Sequence, residues 1–159
     1  MDVYLLRHGI AEDAGPGTSD SERALTREGR DKLRRVLKRA EEAGVAPTLI
    51  LSSPYRRAVE TAEIAAEALD YRGKIVHAAA LVPNASPSDA WDEIRCRTGE
   101  ESILVASHEP LMSSLLAHLL GVPALQTDFK KGAIARVACA SNGPTPRCVL
   151  KWLLTPALA

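Results

Sequence analysis

The sequence predicts an α/β fold: a single three-layer domain spanning residues 1–159, with a mostly parallel central sheet, helices on both faces and a C-terminal β-hairpin. Three observations lead there. Short apolar runs alternate with helix-patterned stretches, as parallel strands joined by crossover helices require. After Ile134 the pattern changes to two apolar runs separated by Ser141-Asn142-Gly143-Pro144, a composition that turns a chain sharply. The length, 159 residues, matches one compact domain able to bury a core.

The elements follow in order. Val3 to Leu6, Leu49 to Leu51, Ile75 to His77 and Ile103 to Ala106 read as strands. Between the first two, Leu33, Val36, Leu37, Ala40 and Ala43 recur at helical spacing, with Thr26 placed to cap the start and Gly44 to end it. A second helix is expected from Ser53-Pro54, with Ala58, Ala62, Ala65, Ala66 and Leu69 on one stripe. A third should cover Ser88 to Thr98 and stop at Gly99; a fourth should run from about Glu109 to Leu120 and end at Gly121. Ile134 to Cys139 and Cys148 to Leu154 are the strands of the terminal hairpin. No internal repeat or linker interrupts this order.

Composition narrows the function. Hydrophobic residues make up 46% and charged residues 25%, which excludes a disordered or fibrous chain, and aromatics at 4% predict an aliphatic core. Basic and acidic residues both number 20, so the chain as a whole is not built to hold nucleic acid and any anion site is local. Met1 leads into Val3-Tyr4-Leu5-Leu6 without a basic stretch and a long apolar one, and no apolar run approaches a membrane span, so a soluble cytoplasmic protein is expected. Cys96, Cys139 and Cys148 show neither metal-ligand spacing nor an even count, so neither a metal site nor a disulfide framework is expected. Cys139 and Cys148 could face each other across the terminal hairpin, but a cytoplasmic setting favours reduced thiols.

In such a sheet, ligands bind beyond the carboxyl ends of the strands. Arg7-His8-Gly9 follows the first strand, Ser52-Ser53-Pro54-Tyr55-Arg56-Arg57 the second, and Ser107-His108-Glu109-Pro110 the fourth. If these strands are neighbours, two histidines and at least two arginines meet at one sheet edge. That cluster fits phosphoryl transfer. A phosphoryl group carries about −1.5 to −2 charge near neutral pH, and guanidinium forks match its oxygens with paired hydrogen bonds. Arg7 and Arg57 could hold it without a metal or cofactor. His8 is the candidate nucleophile, provided a backbone carbonyl keeps the proton on its other nitrogen. His108 would steady the equatorial oxygens, the helix expected after Ser53 would add free backbone donors, and Gly9 would let the backbone pass close to the bound group. One such motif alone is most often a solvated loop; three strand ends offering the same chemistry are what carry the prediction.

The remaining candidates stand apart. His77 sits at a strand end without partners, His118 lies among Leu111, Leu115 and Leu119, and the charges between Arg30 and Arg39 read as a solvated helix face. Arg56 is expected to face solvent.

These motifs resemble those of the histidine phosphatase, or phosphoglycerate-mutase-like, superfamily. Leu5-Leu6-Arg7-His8-Gly9 is similar to its signature, Ser52 to Ala58 with Thr61-Ala62 to its second arginine motif, and Ser107-His108-Glu109-Pro110 to its second histidine motif. The resemblance implies a phosphoglycerate-mutase-like fold, His8 as the phosphorylated residue, and Arg7, Arg57 and His108 as the phosphate pocket. Ser19 to Thr26 and Phe129 to Val137 resemble segments of the small SixA-type phosphohistidine phosphatases, which implies a phosphohistidine-bearing protein as partner, inorganic phosphate as product, and Arg23 reaching the pocket. One departure stands out. Many members carry a general acid after the third strand, yet Leu81 to Pro87 contains no carboxylate. An alkoxide leaving group needs that proton, whereas phosphohistidine needs less help. The alternatives are a phosphatase of small phosphomonoesters or phosphoanhydrides, with Asp89, Glu12 or Asp13 as acid, and a phosphoprotein-binding module with little turnover.

Overall fold

The computed structural model describes residues 1–159. Strands Asp2–Arg7 (β1), Leu49–Ser52 (β2), Ile75–His77 (β3), Ser102–Ser107 (β4), Ile134–Cys139 (β5) and Cys148–Leu154 (β6) form one sheet in the order β3-β2-β4-β1-β5-β6. β2 pairs parallel with β3 and β4, and β4 parallel with β1. β5 runs antiparallel to β1, and β6 antiparallel to β5. β2, β4 and β1 are therefore adjacent, and their carboxyl ends open on one edge. Register aligns them: Arg7 lies opposite Ser107, and Ser52 opposite Ala106.

The two-residue side-chain period splits the core into two layers. Val3 and Leu5 join Leu51, Ile103 and Val105 under helices Pro87–Arg95 (α3) and Leu111–Leu120 (α4). Tyr4 and Leu6 join Ile50, Leu104 and Ala106 under helices Arg27–Glu42 (α1) and Arg56–Ala68 (α2). This is the three-layer α/β architecture expected, with its terminal hairpin, and its core is aliphatic apart from a few buried rings such as Trp91 and Phe129.

Caps explain where the helices start and where expectation slipped. Thr26 accepts the Gly29 N–H at 2.9 Å and opens α1, as expected. α2 begins later than Ser53-Pro54 would place it: Tyr55 is its N-cap, without a side-chain bond of its own, while the Ser53 hydroxyl accepts the Tyr55 N–H at 3.2 Å. α3 starts and ends earlier than expected, since Ser86 rather than Ser88 caps it by accepting the Asp89 N–H. α4 begins after Pro110 and ends at Gly121 in the left-handed region, φ 67°.

The expectation of reduced thiols is overturned for two cysteines. Cys139 and Cys148 lie opposite each other in the β5–β6 register and are joined by a disulfide, while Cys96 is free and exposed. The facing positions match the hairpin reading; it is the argument from a cytoplasmic setting that fails. No helix is long and apolar enough to cross a membrane.

α1 lies close to the segment leaving β1 because Gly29 has no side chain. A Cβ there would stand 2.8 Å from the Ile10 nitrogen and also overlap its carbonyl, which are backbone atoms that cannot rotate away. Helix propensity alone would make Gly29→Ala stabilising. The contact predicts the reverse, a loss of about 2 kcal/mol in urea unfolding.

Candidate active site

The chain leaving β1 is pinned on both sides. The Arg7 N–H donates to Ala133 O at 3.0 Å and the His8 N–H to Ser107 O at 2.9 Å, while the Gly132 N–H is shared between the Arg7 and His8 carbonyls. His8 is thus carried just past the strand end and is only 5% exposed.

Two partners fix its ring. His8 Nδ1 lies 2.7 Å from Gly9 O, an acceptor only, so the proton belongs on Nδ1. Arg57 Nε, a donor only, faces His8 Nε2 at 3.3 Å, so Nε2 presents its lone pair. Arg57 is itself buried, and α2 brings it to this point in its first turn. Its carbonyl accepts the Thr61 hydroxyl at 2.7 Å, and Thr61 Oγ1 accepts the Gly9 N–H at 3.2 Å, tying the two motifs together.

His108 stands beside this pair, 1% exposed, its ring centroid 5.1 Å from that of His8. Its Nε2 is 2.7 Å from the Ser53 hydroxyl, which also accepts the Tyr55 N–H. Donation from the Ser53 hydroxyl to Nε2 would place the imidazole proton on Nδ1. His108 Nδ1 is buried and has no hydrogen-bond partner, and neither has Arg7 Nε. Unpaired buried donors are costly. An anion placed among His8, Arg7 and His108 could relieve both.

Arg7 also donates from Nη1 to Phe129 O at 2.8 Å. On its outer side lies a cleft of about 590 Å³ that Lys32, Lys130, Lys131 and Asp128 help to line. The two histidines are not among the cleft's lining residues. Lys131 adds positive charge felt at His8, a contribution the motifs alone do not reveal.

Burial, followed by Arg57 and Arg7, pushes His8 down to about 4, although the Gly9 carbonyl pulls the other way. Burial and then His8 and Arg57 push His108 down to about 3. Both rings are therefore neutral at ordinary pH.

Two expectations need correction. Arg23 does not point at His8: its Nε donates to Asp20 Oδ1 at 2.9 Å and its Nη1 to Glu12 O at 3.1 Å. Gly9 has a packing reason the motif did not reveal: a Cβ there would stand 2.7 Å from Leu33 Cδ1, and its N–H is taken by Thr61. The helix expected to supply donors from Pro54 starts at Arg56 instead. His77 is exposed, and Arg56 faces solvent while reaching Glu60 at 3.6 Å. Asp20, which the motifs did not single out, takes both outer nitrogens of Arg57: Nη1 donates to its carbonyl at 2.7 Å and Nη2 to Oδ2 at 3.1 Å. A carboxylate in a loop without periodicity carries no signal of its own; only the contact of that loop with Arg57 of α2 reveals it.

The comparisons with known proteins agree with this geometry. Residues 3–81 match the model of the histidine phosphatase superfamily (branch 1). The chain is 30% identical to the phosphohistidine phosphatase SixA of Escherichia coli (strain K12), over 98% of this chain and 94% of that protein. It superposes on the structure of the protein histidine phosphatase SixA complexed with tungstate with a TM-score of 0.86 at 30% identity, covering 99% of this chain and 98% of that one. A putative SixA from Agrobacterium tumefaciens gives 0.83 at 28% identity, covering 98% and 97%. The chain belongs to the histidine phosphatase superfamily. Within it, this is a histidine phosphatase of the SixA type, an enzyme acting on phosphoryl groups.

The neutral histidines set a pH dependence of stability. Unfolded imidazoles titrate near 6.5, whereas His8 and His108 do so at about 4 and about 3 in the fold. Between these values the unfolded chain binds the extra protons, so stability falls as pH drops from 6.5 towards 4. The urea midpoint should decline less steeply over that range in His8→Asn than in the wild type; equal slopes would show that His8 is not held neutral by burial.

Proposed function

We propose that the protein hydrolyses phosphohistidine on a partner protein, passing the phosphoryl group through His8 Nε2 to water. The observation that carries this reading is the bare Nε2 of a buried, neutral His8, bordered by donors from Arg57, Arg7 and His108.

The chemistry follows from those atoms. An incoming phosphoryl group takes the place of the Arg57 Nε–H contact at Nε2, and its equatorial oxygens accept from Arg7, Arg57 and His108 Nδ1. As negative charge spreads over those oxygens in a loose transition state, donors already in position lower its energy without reorganising. His8 Nε2 bonds to phosphorus while the bond to the leaving nitrogen breaks. The Nδ1 proton stays on His8 against Gly9 O, so phospho-His8 is cationic and therefore a good leaving group. Water then attacks phosphorus, the bond to Nε2 breaks with its electron pair returning to the ring, and phosphate departs with a proton lost to solvent. His8 is regenerated with its proton still on Nδ1.

The leaving group decides the substrate. No carboxylate lies between Leu81 and Pro87, and Asp89 is exposed in the first turn of α3. An imidazole leaves without a proton on the atom that bridged to phosphorus, whereas an alkoxide does not. This supports phosphohistidine over alkyl phosphates, and the lysines beside Arg7 suit an anionic protein surface.

Rapid mixing with a ³²P-labelled phosphohistidine peptide should trap an acid-labile, base-stable phosphoenzyme, absent in His8→Ala, which should also lose turnover. A label that persists in that variant, or that resists acid, would overturn the assignment. Arg57→Lys keeps the charge but loses the fork, so it should still cost about 3 kcal/mol of transition-state stabilisation in kcat/KM. Across leaving groups, phosphohistidine should exceed alkyl phosphates widely and activated aryl phosphates by less; a flat series would favour a small-molecule phosphatase with an acid elsewhere.

A further inference from the structure

We infer that Asp20 is the carboxylate that receives the far ring N–H of the substrate's leaving imidazole, and that it thereby selects phosphohistidine over phosphate esters; this rests on the function proposed above.

Position comes first. Arg57 spans from the nucleophile to Asp20: its Nε faces His8 Nε2 at 3.3 Å and its Nη2 faces Asp20 Oδ2 at 3.1 Å. In-line transfer places the leaving group on the side of phosphorus away from His8. His8 and His108 are buried, whereas the Asp20 side chain is 59% exposed, so Asp20 is the partner of Arg57 that a protein substrate can reach from solvent.

Asp20 binds Arg23 through Oδ1 and Arg57 through Oδ2, and each oxygen keeps a lone pair for a further N–H. Glu109 accepts from the Ser113 N–H and hydroxyl, and Asp128 pairs with Lys130 at 2.9 Å; both act electrostatically on Arg7. Asp20 is the carboxylate whose charge reaches His108. It is a hydrogen-bond acceptor rather than a proton donor: partial burial works to raise its pKa, but Arg57 and Arg23 outweigh this and hold it below the usual carboxylate range.

Chemistry gives the carboxylate its use. An ionised carboxylate beside a transferring phosphoryl dianion is repulsive unless the leaving group brings positive charge. Phosphohistidine protonated on its far nitrogen brings that charge, and it is the form that leaves readily. When His8 Nε2 attacks, the phosphorus–nitrogen bond breaks and its electron pair stays on the departing ring nitrogen. The proton remains on the far nitrogen, held by Asp20, and neutral imidazole departs with no proton delivered to the bridging atom. The fold already uses this arrangement once: Gly9 O holds the far N–H of His8 at 2.7 Å, as the second step requires. Asp20 supplies the counterpart for the substrate's ring in the first step. A phosphate ester has no far N–H to donate and meets only the repulsion.

The test compares two substrates in one variant. Asp20→Asn keeps the size of the side chain and an acceptor for Arg57 while removing the charge. The ratio of kcat/KM for a phosphohistidine peptide to that for p-nitrophenyl phosphate should fall about tenfold or more, the worth of a hydrogen bond to a charged group, and Asp20→Glu should recover part of it. A smaller change, with the two substrates losing activity together, would mean that Asp20 only steadies Arg57, and the inference would fall while the proposed function stood. A wild-type enzyme that turns over p-nitrophenyl phosphate but not the phosphohistidine peptide would bring down the proposed function and this inference with it.

Discussion

The imidazole of His8 is held between an acceptor and a donor, and the rest of the site depends on that arrangement. Gly9 O can only accept and Arg57 Nε can only donate, so together they leave one tautomer, with a proton on Nδ1 and a lone pair on Nε2. The fold exists, in functional terms, to bring these two groups to the same ring from opposite sides. β1 delivers His8 and Gly9, α2 delivers Arg57, and Thr61 bonds to both segments. Sheet order makes this achievable, because β4 lies between β1 and β2 and adds His108 at the same level.

Burial and charge act on this site in the same direction. Removing His8 and His108 from water disfavours their cations, and the neighbouring arginines disfavour them further. Without an anion the pocket holds positive charge on Arg7 and Arg57 together with unpaired donors at Arg7 Nε and His108 Nδ1. Such a site is tuned to an anion with several oxygens. Asp20 tempers it from the rim, where it binds Arg57 and Arg23 at once.

Much of this was legible in the residues, for physical reasons. Strand alternation in β1 and apolar spacing in α1 report burial directly, so the layers and the edge where the motifs meet could be read from pattern. Arg7, His8, Arg57 and His108 sit at strand ends or a first helical turn, places the pattern locates well. What could not be read depends on pairing across the chain. Ser53 looked like a helix cap, and its hydroxyl does accept the Tyr55 N–H, but its second contact, with His108, could not be read. Gly9 looked like a phosphate approach, and the packing of Leu33 of α1 beside it could not be read. Arg23 and Asp20 lie in a loop without periodicity, and their partners, Glu12 and Arg57, are distant or set by tertiary folding. Cys139 and Cys148 face each other as the hairpin pattern suggests, and only the argument from compartment pointed away from their disulfide.

The most direct test of the account is the protonation state of the His8 ring, read from ¹⁵N chemical shifts and one-bond couplings as the free enzyme is titrated downward from neutral pH. The account predicts a neutral ring with its proton on Nδ1 and a bare Nε2, persisting well below 6.5 and becoming cationic only near 4. A His8 that is already an imidazolium at 6.5, or that carries its single proton on Nε2, would contradict it.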